Sequence, residues 1–171
     1  MAYILAIETS TKNCSVAFFD DDKLLGVKEQ CSDSYSHAEQ LTLFVESLLK
    51  DNGLDLVTID AIALSSGPGS YTGLRIGTST AKGLCYSLNI PLISISTLQA
   101  MALGVAAVYK TDLYCSMIDA RRMEVFSAIY NEANIEVRGV EANVVDEDTY
   151  REYLQQEVVF FGDGALKCKA I

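Results

Sequence analysis

The chain has 171 residues, of which half are apolar and about a fifth charged, with two prolines and a formal net charge of −10. This composition predicts a globular protein with a substantial core and excludes a disordered or linker-rich chain. Binding nucleic acid requires Lys and Arg to neutralise phosphates, so the acidic balance argues against a chain that binds DNA or RNA alone, and any such role is expected to run through a partner.

The first part of the chain predicts three antiparallel strands and a helix. Apolar runs cover residues 3–7, 14–19 and 24–27 and are separated by polar and acidic turns. A capping box at Ser36 then opens a helix with apolar residues at helical spacing, and Asn52-Gly53 ends it.

Strands and helices alternate in the next part. Residues 59–66 and 90–96 are predicted strands, and residues 71–88 and a segment opened by Thr97 are predicted helices. Such alternation implies parallel strand pairing through right-handed crossovers. We therefore expect residues 1–108 to form an N-terminal α/β lobe.

The pattern restarts after Tyr109. A predicted strand ends in Ile118-Asp119 and is followed by a polar turn and a strand over residues 125–130. The start of the chain has the same pattern, with a strand that ends in Ile7-Glu8, a turn and the next strand. This similarity points to a duplication, with residues 109–171 as a second lobe. The chain closes on VVFFGDGALKCKAI, read as a strand, a turn and the start of a helix.

The segment SSGPGSYTGLRIG, residues 65–77, joins a strand to a helix. It lacks the Lys of a phosphate-binding G-x-x-x-x-G-K-[ST] loop, and its third glycine comes one residue too late for a dinucleotide fingerprint. Gly73, Gly77 and Ala81 recur every fourth residue along the helix, which lets another element approach closely. Two interpretations stay open: a surface for a partner helix, or packing against the lobe's own sheet.

The cysteines and the first residues of the chain indicate the cellular compartment in which we expect the protein. The five cysteines are odd in number and form no C-x-x-C pair, which excludes a disulfide framework and a zinc knuckle. Cys14, Cys85 and Cys115 lie in apolar runs and are predicted to be buried thiols. The first residues, MAYILAIETS, lack the basic start and the length of a signal peptide, and no apolar run reaches roughly 18 residues, so we expect a cytoplasmic protein without a membrane segment.

Five segments together resemble the bacterial TsaB family in order and spacing: ILAIETSTKNCSVAF, SHAEQL, IDAIALSSGPGSYTGLRIGTSTAKGL, IPLISISTLQAMA and IDARRMEVF. The resemblance implies the actin, sugar-kinase and Hsp70-type ATPase fold, with two duplicated lobes built on mixed five-stranded sheets. Family members continue past the end of this chain, so the second lobe is expected to be truncated.

The resemblance also implies a function. Members act as non-catalytic partners of the paralogue TsaD, which forms threonylcarbamoyladenosine beside the anticodon of tRNA, with TsaE as a further subunit, and they form homodimers when alone. A small-molecule kinase or autonomous ATPase of the same fold is the alternative, and a metallopeptidase ranks last because the chain has one His and no H-E-x-x-H helix.

Two sites of the wider family are expected to be lost. The catalytic paralogue holds a metal with a His-x-x-x-His pair, but here His37 is followed four residues later by Leu41, so no metal is expected and His37 is predicted to lie at the surface or an interface. The phosphate loop is degenerate, with Thr9, Ser10 and Thr11 in place of a glycine-containing turn. We expect no cofactor beyond weak adenine nucleotide binding at a partner interface.

The predicted partner surface combines the first two helices, which are expected to pair. Their apolar residues exceed what one sheet-facing stripe requires. The residues predicted to meet TsaD or a second copy are His37, Gln40, Leu41, Phe44, Tyr71, Leu74, Arg75, Gly77, Thr78 and Ala81.

Overall fold

A computed structural model describes residues 2–31 and 37–168. The chain forms two compact units, the first ending at Ile95 and the second beginning at Ser96. The sequence placed this boundary after residue 108. Helix α3 (Thr97–Val108) accounts for the difference, because it packs against strands of the second unit.

The first unit contains a five-stranded mixed sheet in the order β3-β2-β1-β4-β5. β1 pairs antiparallel with β2 and parallel with β4, as the meander and the crossover predicted. The strands are β1 (Tyr3–Glu8), β2 (Asn13–Asp20), β3 (Lys23–Cys31), β4 (Ala61–Ser65) and β5 (Leu92–Ile95).

Helices α1 (His37–Asp51) and α2 (Tyr71–Leu88) pack on this sheet. Their buried residues join Leu5, Val16, Phe18 and Ile62 in one apolar core. The predicted cap residue Ser36 lies outside the described residues. Gly53, at φ +65°, follows the end of α1 in the left-handed conformation that glycine adopts without strain, as the stop signal predicted.

The second unit contains a four-stranded sheet in the order β8-β7-β6-β9. β6 pairs antiparallel with β7 and parallel with β9, which repeats the pairing of β1 with β2 and β4. This confirms the predicted class of two duplicated α/β lobes, although the second described sheet has four strands and not five. Its elements are β6 (Leu113–Asp119), β7 (Glu124–Asn131), β8 (Glu136–Val144), β9 (Val158–Phe161) and α4 (Ala165–Cys168).

The cysteines bear out the prediction of free thiols, since all five are unpaired and Cys14, Cys85 and Cys115 are buried. Within residues 2–31 and 37–168, no helix combines the length and the apolar character needed to cross a membrane.

Candidate functional site

The glycines of α2 and the loop before it form a socket for the turn between β1 and β2. We call Gly69, Gly73 and Gly77 the glycine socket. A Cβ at Gly69 would overlap the carbonyl oxygen of Ser10, a Cβ at Gly73 that of Thr9, and a Cβ at Gly77 the Thr9 hydroxyl oxygen. Only glycine therefore lets α2 lie this close to the turn.

Hydrogen bonds hold the turn in the socket. The Thr9 hydroxyl is buried and donates to the carbonyl oxygen of Gly73 at 2.9 Å. The backbone N–H of Ser70 donates to the carbonyl oxygen of Ser10 at 2.6 Å. The Ser70 side chain caps α2 by accepting a hydrogen bond from the N–H of Gly73 at 3.3 Å.

The sequence left two interpretations of the Gly73, Gly77 and Ala81 stripe, and the structure favours packing inside the lobe. All three residues are buried, and Gly77 also approaches Leu64 of β4. A partner helix cannot reach residues that the lobe's own turn and sheet already cover. The stripe is thus a feature of the fold and not part of a docking surface.

The degenerate phosphate loop is closed in this structure. The Glu8 carboxylate accepts a hydrogen bond from the Ser10 N–H at 2.5 Å through Oε1 and one from the Ser65 hydroxyl through Oε2. Thr9 and Ser10 are buried, and Thr11 is partly buried. The expectation that any adenine nucleotide binds weakly, and only at a partner interface, stays a prediction.

His37 lies inside the lobe, and the prediction that it lies at the surface is wrong. It is 1% exposed, and its Nε2 lies 2.9 Å from the carbonyl oxygen of Thr11. Its ring also contacts the position where Gly73 would carry a Cβ. His37 joins the start of α1 to the β1–β2 turn because it is the first residue of that helix. The residues the structure describes contain no group of three or more His, Cys, Asp or Glu that could hold a metal.

The ten predicted partner residues divide by exposure. Tyr71 and Arg75 are exposed, and the Arg75 guanidinium lies over the Tyr71 ring at 5.3 Å. Four more are half-buried: Gln40, Phe44, Leu74 and Thr78. The other four are buried and cannot contact a partner directly: His37, Leu41, Gly77 and Ala81. Leu41 belongs to the core between α1 and the sheet.

The exposed side of the two helices adds five further residues to Tyr71 and Arg75 of the predicted set. We call it the outer face, and it comprises Leu43 and Glu46 of α1 and Tyr71, Arg75, Ser79, Lys82 and Tyr86 of α2. Leu43 is 55% exposed, Tyr71 75% and Tyr86 92%. The helical period places Leu43 on the side opposite Leu41, Val45 and Leu48, as expected for an apolar residue in excess of one sheet-facing stripe.

Comparison with known proteins agrees with this architecture. The family model described as TsaD: tRNA N6-adenosine threonylcarbamoyltransferase matches residues 32–159. The tRNA threonylcarbamoyladenosine biosynthesis protein TsaB of Escherichia coli is 39% identical over 127 residues, which are 74% of this chain and 54% of that protein. The protein of the same name in Bacillus subtilis is 33% identical over 131 residues, 77% of this chain and 56% of that protein.

A solved structure, YeaZ from Pseudomonas aeruginosa, superposes with a TM-score of 0.75 at 31% identity, covering 85% of this chain and 68% of that one. The chain spans about half the length of the curated relatives it matches. The family model's match runs across both units. The chain therefore belongs to the TsaB family.

Proposed function

We propose that this chain acts in the formation of threonylcarbamoyladenosine on tRNA as a non-catalytic partner of a TsaD-type protein. The names of the Escherichia coli and Bacillus subtilis relatives support the pathway. The observation that carries the partner role is the outer face of α1 and α2, where large apolar and aromatic side chains are exposed together.

The chemistry of the outer face supports a protein partner. Tyr and Arg side chains are enriched in protein interfaces because they bury a large area and still form hydrogen bonds. Tyr71 and Arg75 stack on each other, and Tyr86 is almost fully exposed. We assign this face to TsaD, and to a second copy of the chain when TsaD is absent.

The non-catalytic role rests on what the chain's own residues do. Its single His is buried against a backbone carbonyl oxygen, and the carboxylate of Glu8 is bound to groups of its own lobe. Neither group is placed to act on a substrate. We propose that the chain reaches tRNA only through TsaD, that TsaE joins a larger cytoplasmic complex, and that any adenine nucleotide binds weakly at a partner interface.

Co-purification with TsaD from the same organism tests the proposal. Leu43→Glu and Tyr86→Ala should each lower the captured TsaD by tenfold or more, because truncating or charging a central contact residue costs about 1.4 kcal/mol or more. Formation of threonylcarbamoyladenosine, measured by mass spectrometry of digested tRNA, should fall in parallel.

The matched control is Leu103→Glu. Leu103 is an exposed helical leucine like Leu43, at 57% against 55%, but it lies on α3 in the second unit. It should capture TsaD at the level of the unchanged protein, and circular dichroism should show that all variants are folded. Equal capture by all three variants would show that the outer face is not the TsaD surface.

A further inference from the structure

The β1–β2 turn (Thr9–Lys12) lies where ligands commonly bind in α/β proteins. β1 and β4 are adjacent and parallel, with Ile7 opposite Leu64, so Glu8 and Ser65 share the carboxyl end of the sheet. Ligands of open α/β sheets bind outside this end, and turns with free backbone N–H groups attract anions. An anionic ligand could bind at this turn only if such N–H donors were free.

Three donors of this corner, the Ser10 N–H, the Ser65 hydroxyl and the Ser70 N–H, are already used by the chain. Both carboxylate oxygens of Glu8 accept hydrogen bonds, one from the Ser10 N–H at 2.5 Å and the other from the Ser65 hydroxyl. The Ser70 N–H, at the start of α2, donates to the carbonyl oxygen of Ser10. The pKa of the nearby buried Cys14 thiol is raised, first by burial and then by the negative charge of the Glu8 carboxylate.

We propose that Glu8 is an internal anion that closes the β1–β2 turn, so that this corner holds the chain's own carboxylate in place of a phosphate or another bound anion. Glu8 is a positioning residue, because it acts by fixing the turn that fits the glycine socket. The lobe then holds its folded arrangement without a nucleotide. This inference does not rest on the proposed function.

The glycine socket explains why one carboxylate can have this effect. Thr9 is in contact with Gly73 and Gly77, and Ser10 is in contact with Gly69, so the turn cannot shift without moving the start of α2. His37 ties the same turn to α1 through the Thr11 carbonyl oxygen. An anion at the Glu8 position therefore stabilises both helices of the lobe.

Anion rescue of Glu8→Ala tests the proposal. Melting temperatures are measured in sodium chloride and in sodium phosphate or acetate at equal ionic strength. We expect Glu8→Ala to melt below the unchanged protein and to gain about 3 °C or more in 10 mM phosphate or acetate, with saturation, as a bound ligand of millimolar affinity would give. The control is Glu132→Ala, which removes an exposed acid after β7. In this variant and in the unchanged protein, phosphate and acetate should change the melting temperature only slightly and without saturation.

Two results would overturn the proposal. One is a saturable rise in the melting temperature of the unchanged protein with phosphate, since that would show a turn still open to anions. The other is a folded Glu8→Ala protein without an anion-specific gain.

If Glu8→Ala does not fold in chloride, the proposal requires circular dichroism to show native structure in phosphate or acetate. Failure in all three salts would also overturn it. Glu8→Gln, which keeps one oxygen acceptor, should fold in chloride with a smaller loss and a smaller anion gain than Glu8→Ala.

Discussion

Gly73 and Gly77 occupy helical positions where glycine is intrinsically unfavourable. A glycine inside a helix costs about 1 kcal/mol relative to alanine. Here the contact with the β1–β2 turn accounts for both residues, because a Cβ at either would overlap an atom of Thr9. Gly83 lies in the same helix with nothing within 4 Å of the corresponding position. Substitution by alanine should therefore lower the free energy of unfolding at Gly73 and Gly77 and raise it at Gly83.

We expect Gly73→Ala to lower the free energy of unfolding by about 1–3 kcal/mol, because the added methyl group must displace the Thr9 carbonyl. Gly83→Ala should raise it by up to about 1 kcal/mol through helix propensity alone. Urea unfolding followed by circular dichroism measures both. If Gly73→Ala is as stable as Gly83→Ala, the tight contact in the glycine socket is not present in solution.

At the scale of elements, local patterns predicted most of the fold. The apolar runs predicted β1 to β7 and β9, and helical spacing with its start and stop signals predicted α1, α2 and α3. β8 was missed because its apolar residues do not alternate. Val137, Val140 and Val144 recur at intervals of three and four residues, not two, and the register of β7 with β8 shifts at two places.

The candidate site was harder to predict than the elements that carry it. The sequence predicted that α1 and α2 pair. One of its two interpretations, however, placed the stripe of Gly73, Gly77 and Ala81 against a partner helix. The contact that decides the question joins Thr9 and Gly73, which are 64 residues apart in the sequence. No local pattern reports such a contact. The same limit applies to His37, whose burial depends on the turn that lies against it.

The start of α2 offers a test at this scale. Ser70 caps the helix by accepting a hydrogen bond from the Gly73 N–H, so Ser70→Ala should lower the free energy of unfolding by about 1 kcal/mol. Ser79→Ala, at an exposed position inside the same helix, should raise it by a few tenths of a kcal/mol. Thermal melts of the two variants give the comparison. Equal shifts of the same sign would contradict the assignment of Ser70 as the cap.

At the scale of the whole molecule, the two units repeat both their pairing and their turn chemistry. Glu8 ends β1 and accepts a hydrogen bond from the N–H two residues later, and Asp119 ends β6 and does the same with Arg121. The duplication predicted from the apolar and acidic strand ends therefore extends to an individual hydrogen bond in each turn.

The second unit also contains the groups that should make global stability depend on alkaline pH. Cys115 is fully buried, and burial raises the pKa of its thiol from 9.0 to about 12. Burial likewise raises the pKa of Tyr150 from 10.0 to about 12, although its hydroxyl donates to Ser127. Below about pH 8 both groups are almost fully protonated in the folded and unfolded chains, so they barely change the stability. Above pH 9 the unfolded chain releases protons that the folded chain keeps.

The free energy of unfolding should therefore fall as the pH rises from 9 towards 12, by up to about 1.4 kcal/mol per pH unit for each group once its unfolded form ionises. Urea unfolding at pH 8 and pH 10 should show a loss of about 1–2 kcal/mol in the unchanged protein. Cys115→Ala should be less stable at pH 8, because it leaves a cavity, but should lose about 1 kcal/mol less between the two pH values. Cys31→Ala, at an exposed position, should keep the slope of the unchanged protein. If Cys115→Ala and the unchanged protein lose the same free energy, the buried thiol does not govern alkaline unfolding.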